Sequence, residues 1–221
     1  QFDFLLCESP PLFLGMSAKR LSKKFGAKMI FNVSDLWPES AEKLGLVTNK
    51  FFLRMATRLE ESLYKNSALI TGQTQGIVKN ISSRFPNKKV YWLKNGVDLK
   101  YFVRKKSDWR KENNFSDEDF IFLYAGIIGH AQGLEIILKA AQKLKEKSNL
   151  KFILQGSGPE KEKLMALKDE KKLNNVFFHD VLPKEKMPDV LSAANAAIIP
   201  LRKLDLFLGA IPSKIFEDRK S

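Results

Sequence analysis

Short runs of apolar residues alternate along this chain with longer stretches in which apolar positions recur every three or four residues. Phe2–Cys7 reads as a buried strand, with a helix over about Leu12–Phe25 behind it. Lys28–Val33 is a second strand. Phe51–Lys65 carries Phe51, Phe52, Met55, Leu59 and Leu63 at spacings of three and four, the stripe of an amphipathic helix. Ala68–Thr71, Gln75–Arg84 and Lys89–Leu93 continue as strand, helix and strand, closed by the turn dipeptide Asn95-Gly96. Leu99–Asp119 shows no period and is rich in charge and Asn, which predicts a linker. The alternation then restarts. Strands are expected at Phe120–Tyr124, Lys151–Leu154, Val176–Phe178 and Ala196–Ile199. Helices are expected at Gln132–Lys147, Pro159–Lys172 and Lys184–Ala193, and a last one near Pro212.

Strand–helix alternation with continuously apolar strands predicts parallel sheets covered on both faces. Two such blocks predict two Rossmann-like domains of α/β class: residues 1–98, a linker at 99–118, and residues 119–221. Both ends read as interrupted. The chain opens on Gln inside an apolar run, and Ile211–Glu217 reads as a helix starting, with Pro212 at its first position and only four residues to follow. The expectation is a fragment of a longer protein.

Composition narrows the class. No apolar run reaches the ~18 residues of a membrane span, and the chain opens without the basic stretch of a signal peptide. One cysteine makes no internal disulfide and suggests a reducing compartment, the cytoplasm. A net charge of +13 points to anionic partners: nucleic acid, an anionic membrane surface or phosphorylated substrates. Lysine is spread along the whole chain, so general surface charge is the competing reading.

In parallel α/β sheets, ligands bind at the carboxyl ends of strands. Gly126, Gly129 and Gly133 lie in one such loop, with Gln132, ahead of a helix. They suit phosphate binding at a helix N-terminus, and equally a tight turn. Gly156 and Gly158 start a glycine fingerprint, but Lys161 takes the place of its third glycine, so it reads as a close approach of backbone to ligand. In Gly209-Ala210-Ile211-Pro212-Ser213-Lys214, a cation in the first helical turn opposes the macrodipole unless the site holds an anion such as diphosphate. Glu217 lies four residues after Ser213, placed to accept from a ribose diol, or simply to pair with Ser213. In the first block Asp35 and Glu39 are candidates for acid/base or sugar-hydroxyl roles, or Asp35 caps a short helix after Pro38. Ser9 ends the first strand.

Other residues are set aside. Asp117-Glu118-Asp119 precedes a strand instead of ending one. His130 and His179 are too few for a zinc site. Cys7 reads as core. Trp92, Tyr101 and Trp109 lie near Lys and Arg without a nucleic-acid-binding motif around them.

The segments NVSDLWPES, TGQTQGI, NGVD, AGIIGHAQGLE, LQGSGPEKEKL, MPDVLSAANAAIIPL and GAIPSKIFE, in that order, resemble the family-4 glycosyltransferases across about residues 2–217. Within that family they are similar to the O-antigen and capsule L-fucosamine transferases (the WbuB-like branch). The resemblance implies a GT-B fold truncated at both ends, with an N-terminal acceptor domain and a C-terminal donor domain. It implies retaining, metal-independent transfer from a nucleotide-sugar, such as a UDP-sugar, to a lipid-linked saccharide in surface polysaccharide synthesis. No cofactor and no nucleic acid are implied. The place of action is the cytoplasm, at the inner face of an anionic membrane.

The resemblance assigns the ribose to Glu217 and the diphosphate and sugar to Gly209, Ala210, Ile211, Ser213 and Lys214. It sets the region of His179 and Val181 against the base, and the phosphates against the loop of Gly126, Gly129 and Gln132, with Gly156 and Gly158 nearby. Asp35 and Lys214 are the expected catalytic residues, with Ser9 and Glu39 on the acceptor side. Three departures stand out. Ile127 and Gln132 occupy places where many members carry Arg and Lys. The first glutamate of the family's E-x7-E motif is Gly209 here. The family's first glycine-rich loop would lie upstream of residue 1, and the family continues beyond Glu217. A nucleotide-sugar epimerase on the same fold, and a basic membrane- or nucleic-acid-binding module, are the alternative readings.

Overall fold

The strands form where short, mostly apolar runs are interrupted by few polar residues. In the computed structural model, which describes residues 2–218, they build two sheets, every strand pair parallel. The expected run of the last helix through residues 219–221 lies outside the described residues. In chain order the first unit holds β1 (Phe4–Ser9), α1 (Leu14–Phe25), β2 (Lys28–Val33), α2 (Glu39–Lys43), α3 (Lys50–Asn66), β3 (Leu69–Gly72), α4 (Gln75–Arg84) and β4 (Val90–Trp92). Its sheet order is β1-β2-β3-β4. Ser9 pairs with Val33, Val33 with Gly72 and Gly72 with Trp92, so the four carboxyl ends are level.

The second unit holds α5 (Trp109–Glu112), β5 (Phe120–Ala125), α6 (Glu135–Lys143), β6 (Leu150–Gln155), α7 (Lys161–Glu170), β7 (Val176–His179), α8 (Met187–Ala193), β8 (Ala196–Ala197) and α9 (Lys214–Asp218). The sheet order is β7-β6-β5-β8, with Ala125, Gln155 and His179 level at the carboxyl end. The chain up to Asn95 groups with Leu204–Ile211, and Gly96–Lys203 groups with the chain from Pro212 onward.

Alternate residues of β5 and β6 feed two separate cores. Tyr124, Phe152 and Leu154 pack with Leu138 and Leu164 on one face; Ile121, Leu123 and Ile153 pack with Val190 and Ala193 on the other. This second face explains a difference from the sequence reading. Trp109 and Phe115, inside the segment expected to be a linker, are buried in that core, their rings stacked at 5.7 Å. Arg110 fastens the segment, donating to the carbonyls of Ala193 (2.8 Å) and Asp119 (2.9 Å) and to the Asn195 side chain (2.6 Å). Two aromatics separated by polar residues leave no periodic signal. The helix expected over Gln132–Lys147 begins later, at Glu135, because Gly133 takes a left-handed φ of 62° before it, and it ends at Lys143. The expected strand Ala196–Ile199 forms ladder pairs only at Ala196 and Ala197.

The first core contains one buried ion pair. Glu60, its side chain 4% exposed, accepts from Arg84 at 2.5 and 3.2 Å and from the Tyr64 hydroxyl at 2.9 Å. Arg84→Met leaves that carboxylate buried without a counter-charge. Removing one partner of a buried pair costs roughly 3–5 kcal/mol. The Arg84 side chain is 31% exposed, so a loss of about 3 kcal/mol is expected, read as a lowered urea midpoint with an unchanged slope.

Candidate active site

A cleft of about 370 Å³ opens at the carboxyl end of the second sheet. That volume is ordinary for a small-molecule site. One wall comes from β5 and the loop after it (Leu123, Ala125, Gly126, Ile127), another from β6 and its loop (Gln155, Gly156, Ser157). Val181, Leu182, Met187, Leu191, Ala197 and Ile199 make an apolar side, and Ser213, Lys214 and Glu217 supply polar groups from the start of α9.

The two glycine loops are locked together. The N–H of Gly126 donates to the Gln155 carbonyl (2.8 Å), that of Gly156 to the His179 carbonyl (2.9 Å), and that of Ile128 to the Ser157 carbonyl (2.8 Å). Gly126 and Gly156 have φ of 138° and 141°, and a Cβ on Gly156 would fall on the Gly126 carbonyl oxygen. Gly126 itself lies under the Lys214 side chain: a Cβ there would sit 2.6 Å from the amine and closer still to Cε. So the absence of side chains at 156 and 126 lets the backbone, and then Lys214, close down in sequence.

The Lys214 amine stands 5.7 Å from the centre of the Tyr124 ring. It is half-buried and has no hydrogen-bond or ion-pair partner among the described residues. Burial pushes its pKa below the ordinary lysine value, with Glu217 opposing the shift. Tyr124 below it is fully buried, its hydroxyl donates to the Ile127 carbonyl at 2.5 Å, and desolvation pushes its pKa up to about 12, so it stays neutral. The backbone N–H groups of Ile127 and Ser157, both on the cleft, have no partner among the described residues. A half-buried cation without a direct ion-pair partner is costly unless an anion joins it.

Of the donor-side residues expected from sequence, the cleft brings together Gly126, Gly156, Val181, Ser213, Lys214 and Glu217. Gly129, Gln132, Gly158 and His179 are not on its lining. Gln132 folds over Gly129, and a Cβ on Gly158 would collide with the backbone of Ile128, so these serve loop packing. His179 presents its ring to Trp109 at 5.5 Å, and burial among aromatics lowers its pKa. Its carbonyl accepts from the Gly156 N–H. Gly209, Ala210 and Ile211 group with the first unit, where Gly209 packs on Gly76.

In the first unit, Asp35 accepts from the Ser40 hydroxyl at 2.7 Å, Glu39 pairs with Lys43 at 2.6 Å, and Ser9 is buried. A polar array that the sequence reading passed over crosses the carboxyl ends of this sheet. Glu8 Oε1 accepts from Ser34 (2.5 Å) and from Gln73 (3.2 Å), and Asn95 donates to the Gln73 side chain (3.0 Å). The signal was available: each of these residues ends a strand or follows one closely, but no motif joins them.

Comparison with known proteins follows the same lines. The family "Glycosyl transferases group 1" matches residues 105–217. WcaI of Escherichia coli (strain K12), named as a colanic acid biosynthesis glycosyl transferase, is 24% identical over 221 residues, covering 96% of this chain and 54% of its own. Sucrose-phosphate synthase from Thermosynechococcus elongatus aligns over 98% of this chain and 53% of its own, at TM-score 0.76 and 17% identity. Anabaena HepE, solved with UDP and glucose, aligns over 98% and 56%, at TM-score 0.74 and 15% identity. These likenesses establish the Rossmann-like α/β architecture of GT-B proteins. The chain spans about half the length of the curated relatives it matches.

Proposed function

The chain belongs to the glycosyl transferases group 1, and on that premise we propose that its second unit holds a nucleoside diphosphate-sugar while its first unit presents the acceptor. The observation that supports this most is Lys214, an ammonium half-buried over Gly126 with no ion-pair or hydrogen-bond partner among the described residues, Glu217 acting on it only at longer range, in a cleft otherwise largely apolar. The β-phosphate of the leaving nucleotide supplies the missing charge. As the glycosidic C–O bond breaks, negative charge grows on that phosphate. A fixed cation and free backbone N–H groups at Ile127 and Ser157 stabilise it more in the transition state than in the ground state. The reading places the ribose at Glu217 and the base toward Val181.

The finer parts of the proposal are a UDP-sugar donor, retention of configuration, metal independence and a lipid-linked saccharide acceptor of O-antigen or capsule synthesis, in the manner of the WbuB-like branch. The work would take place at the cytoplasmic face of the membrane. No helix among the described residues is long and apolar enough to cross a membrane. On the acceptor side, Asp35 is the proposed group for orienting the attacking hydroxyl. Ser40 holds one of its oxygens, Oδ2, and leaves the other without a partner among the described residues.

The direct test is calorimetric titration of this chain with UDP and with uridine. UDP should bind at least tenfold more tightly, because the diphosphate gains charge-assisted hydrogen bonds that uridine lacks. Equal affinities would remove the diphosphate from the reading. In the intact enzyme, a UDP-sugar incubated without acceptor should stay unisomerised; its epimerisation would shift the assignment to an epimerase.

A further inference from the structure

We propose that Gln155 selects the base of the donor, its side-chain oxygen accepting from the ring N–H of uracil. An orphaned atom points to it. Gln155 is 3% exposed, yet its Oε1 has no hydrogen-bond partner among the described residues. The amide nitrogen is engaged: Nε2 donates to the Asp180 carbonyl. A carbonyl only accepts, so the nitrogen must face Asp180 and the oxygen is the free atom. Buried polar groups are normally satisfied, and one left bare is costly unless a ligand completes it. Gln132, Asn175 and Tyr101 also hold a bare buried side-chain atom, but none of those three lines the cleft; Gln155 does.

The place of Gln155 in the sheet says what kind of group meets it. Alternation along β6 puts it on the face of Ile153, and the ladder pairs these two with Ala125 and Leu123 of β5. That face packs against α8, and toward its carboxyl end it lines the cleft. Val181, Met187 and Leu191 make the apolar side there. The bond from Gln155 to the Asp180 carbonyl also holds the residue just before Val181, so acceptor and apolar wall are tied together. An apolar wall with one buried acceptor suits a nucleobase, a flat ring with a polar edge. Uracil presents a donor on that edge, N3–H. Cytosine presents a lone pair at the same ring position, which an acceptor repels. Ribose hydroxyls also donate, but Glu217, on α9, is the group proposed for them.

This inference rests on the reading of the cleft as a donor site and adds the group that chooses the base. The test is calorimetric titration of wild type and Gln155→Leu with UDP, CDP, 2′-deoxy-UDP and 3-methyluridine 5′-diphosphate. Wild type should bind UDP at least tenfold more tightly than CDP or the 3-methyl compound, because a site built around a hydrogen bond rejects an analogue that cannot make it. This comparison stands whether or not the variant folds. In Gln155→Leu, UDP should weaken about tenfold while the 3-methyl compound holds or gains, so the preference collapses. A glutamine that only tethers the Asp180 carbonyl would behave otherwise: its loss would weaken both compounds by the same factor. That result, or equal binding of UDP and the 3-methyl compound to wild type, overturns the proposal. So does a preference for UDP over 2′-deoxy-UDP that vanishes in the variant, which would give the oxygen to the ribose. Tighter binding of CDP than of UDP overturns it and leaves the diphosphate reading standing. Failure of all four compounds to bind removes the donor site, and this proposal with it.

Discussion

Lys214→Ala in the intact enzyme is expected to lower transfer by ~10²-fold or more, the usual consequence of deleting a preorganised charge aimed at a developing anion. In this chain, its affinity for UDP should drop by roughly tenfold, since a hydrogen bond to a charged group is worth about 1.5–3 kcal/mol. The geometry separates this lysine from the other cations of a +13 surface. Its stem lies over Gly126, its amine faces the cleft above a neutral Tyr124, and no carboxylate among the described residues pairs with it directly. An exposed control such as Lys184→Ala should change neither quantity. The pH dependence has a definite sign. Only the ammonium form holds diphosphate, and burial favours the neutral amine. UDP affinity should therefore fall as pH rises, beginning below the range where an exposed lysine titrates. In the Lys214→Ala variant this alkaline loss should be gone. An unchanged turnover and a pH profile identical to wild type would take Lys214 out of the site.

Most of the fold could be read from the chain because its periodicities are strong. Every long amphipathic stretch became a helix and every apolar run a strand, since parallel sheets buried on both faces demand continuous apolar strands. The candidate site was legible where its residues are local in sequence: Gly126, Gly156, Ser213, Lys214 and Glu217 stand out by loop position, residue type and spacing, and they line one cleft. It was illegible where function comes from packing. Nothing in the sequence says that Gly158 is a glycine for the sake of the Ile128 backbone, or that His179 turns toward Trp109. Nor could it show that Met187, Leu191 and Ile199 form the apolar side of the cleft, because an apolar residue on a helix or strand looks the same whether it faces core or ligand. Glu8, Ser34, Gln73 and Asn95 are separated by up to 87 positions and converge only because four strand ends are level.

Gly126→Ala tests whether the glycine loop acts through the lysine. At φ 138° an alanine is strained by about 1–3 kcal/mol, and its Cβ would occupy the space of the Lys214 Cε. The backbone at 126 is held from below by the Gly156 loop, so the flexible lysine is the partner that yields. Gly126→Ala should therefore lower turnover by ~10²-fold, close to Lys214→Ala, through ejection of the amine from the cleft. The double variant decides the mechanism. If the glycine works by seating the lysine, Gly126→Ala adds little once Lys214 is already alanine, because the group it displaces is absent. Multiplicative losses would mean that the alanine damages the site by another route, such as blocking the approach of phosphate to the Ile127 N–H. Urea unfolding of all three variants separates the strain from the chemistry. The stability loss should follow the alanine at 126 alone, whereas the loss of turnover should follow whichever change removes the amine.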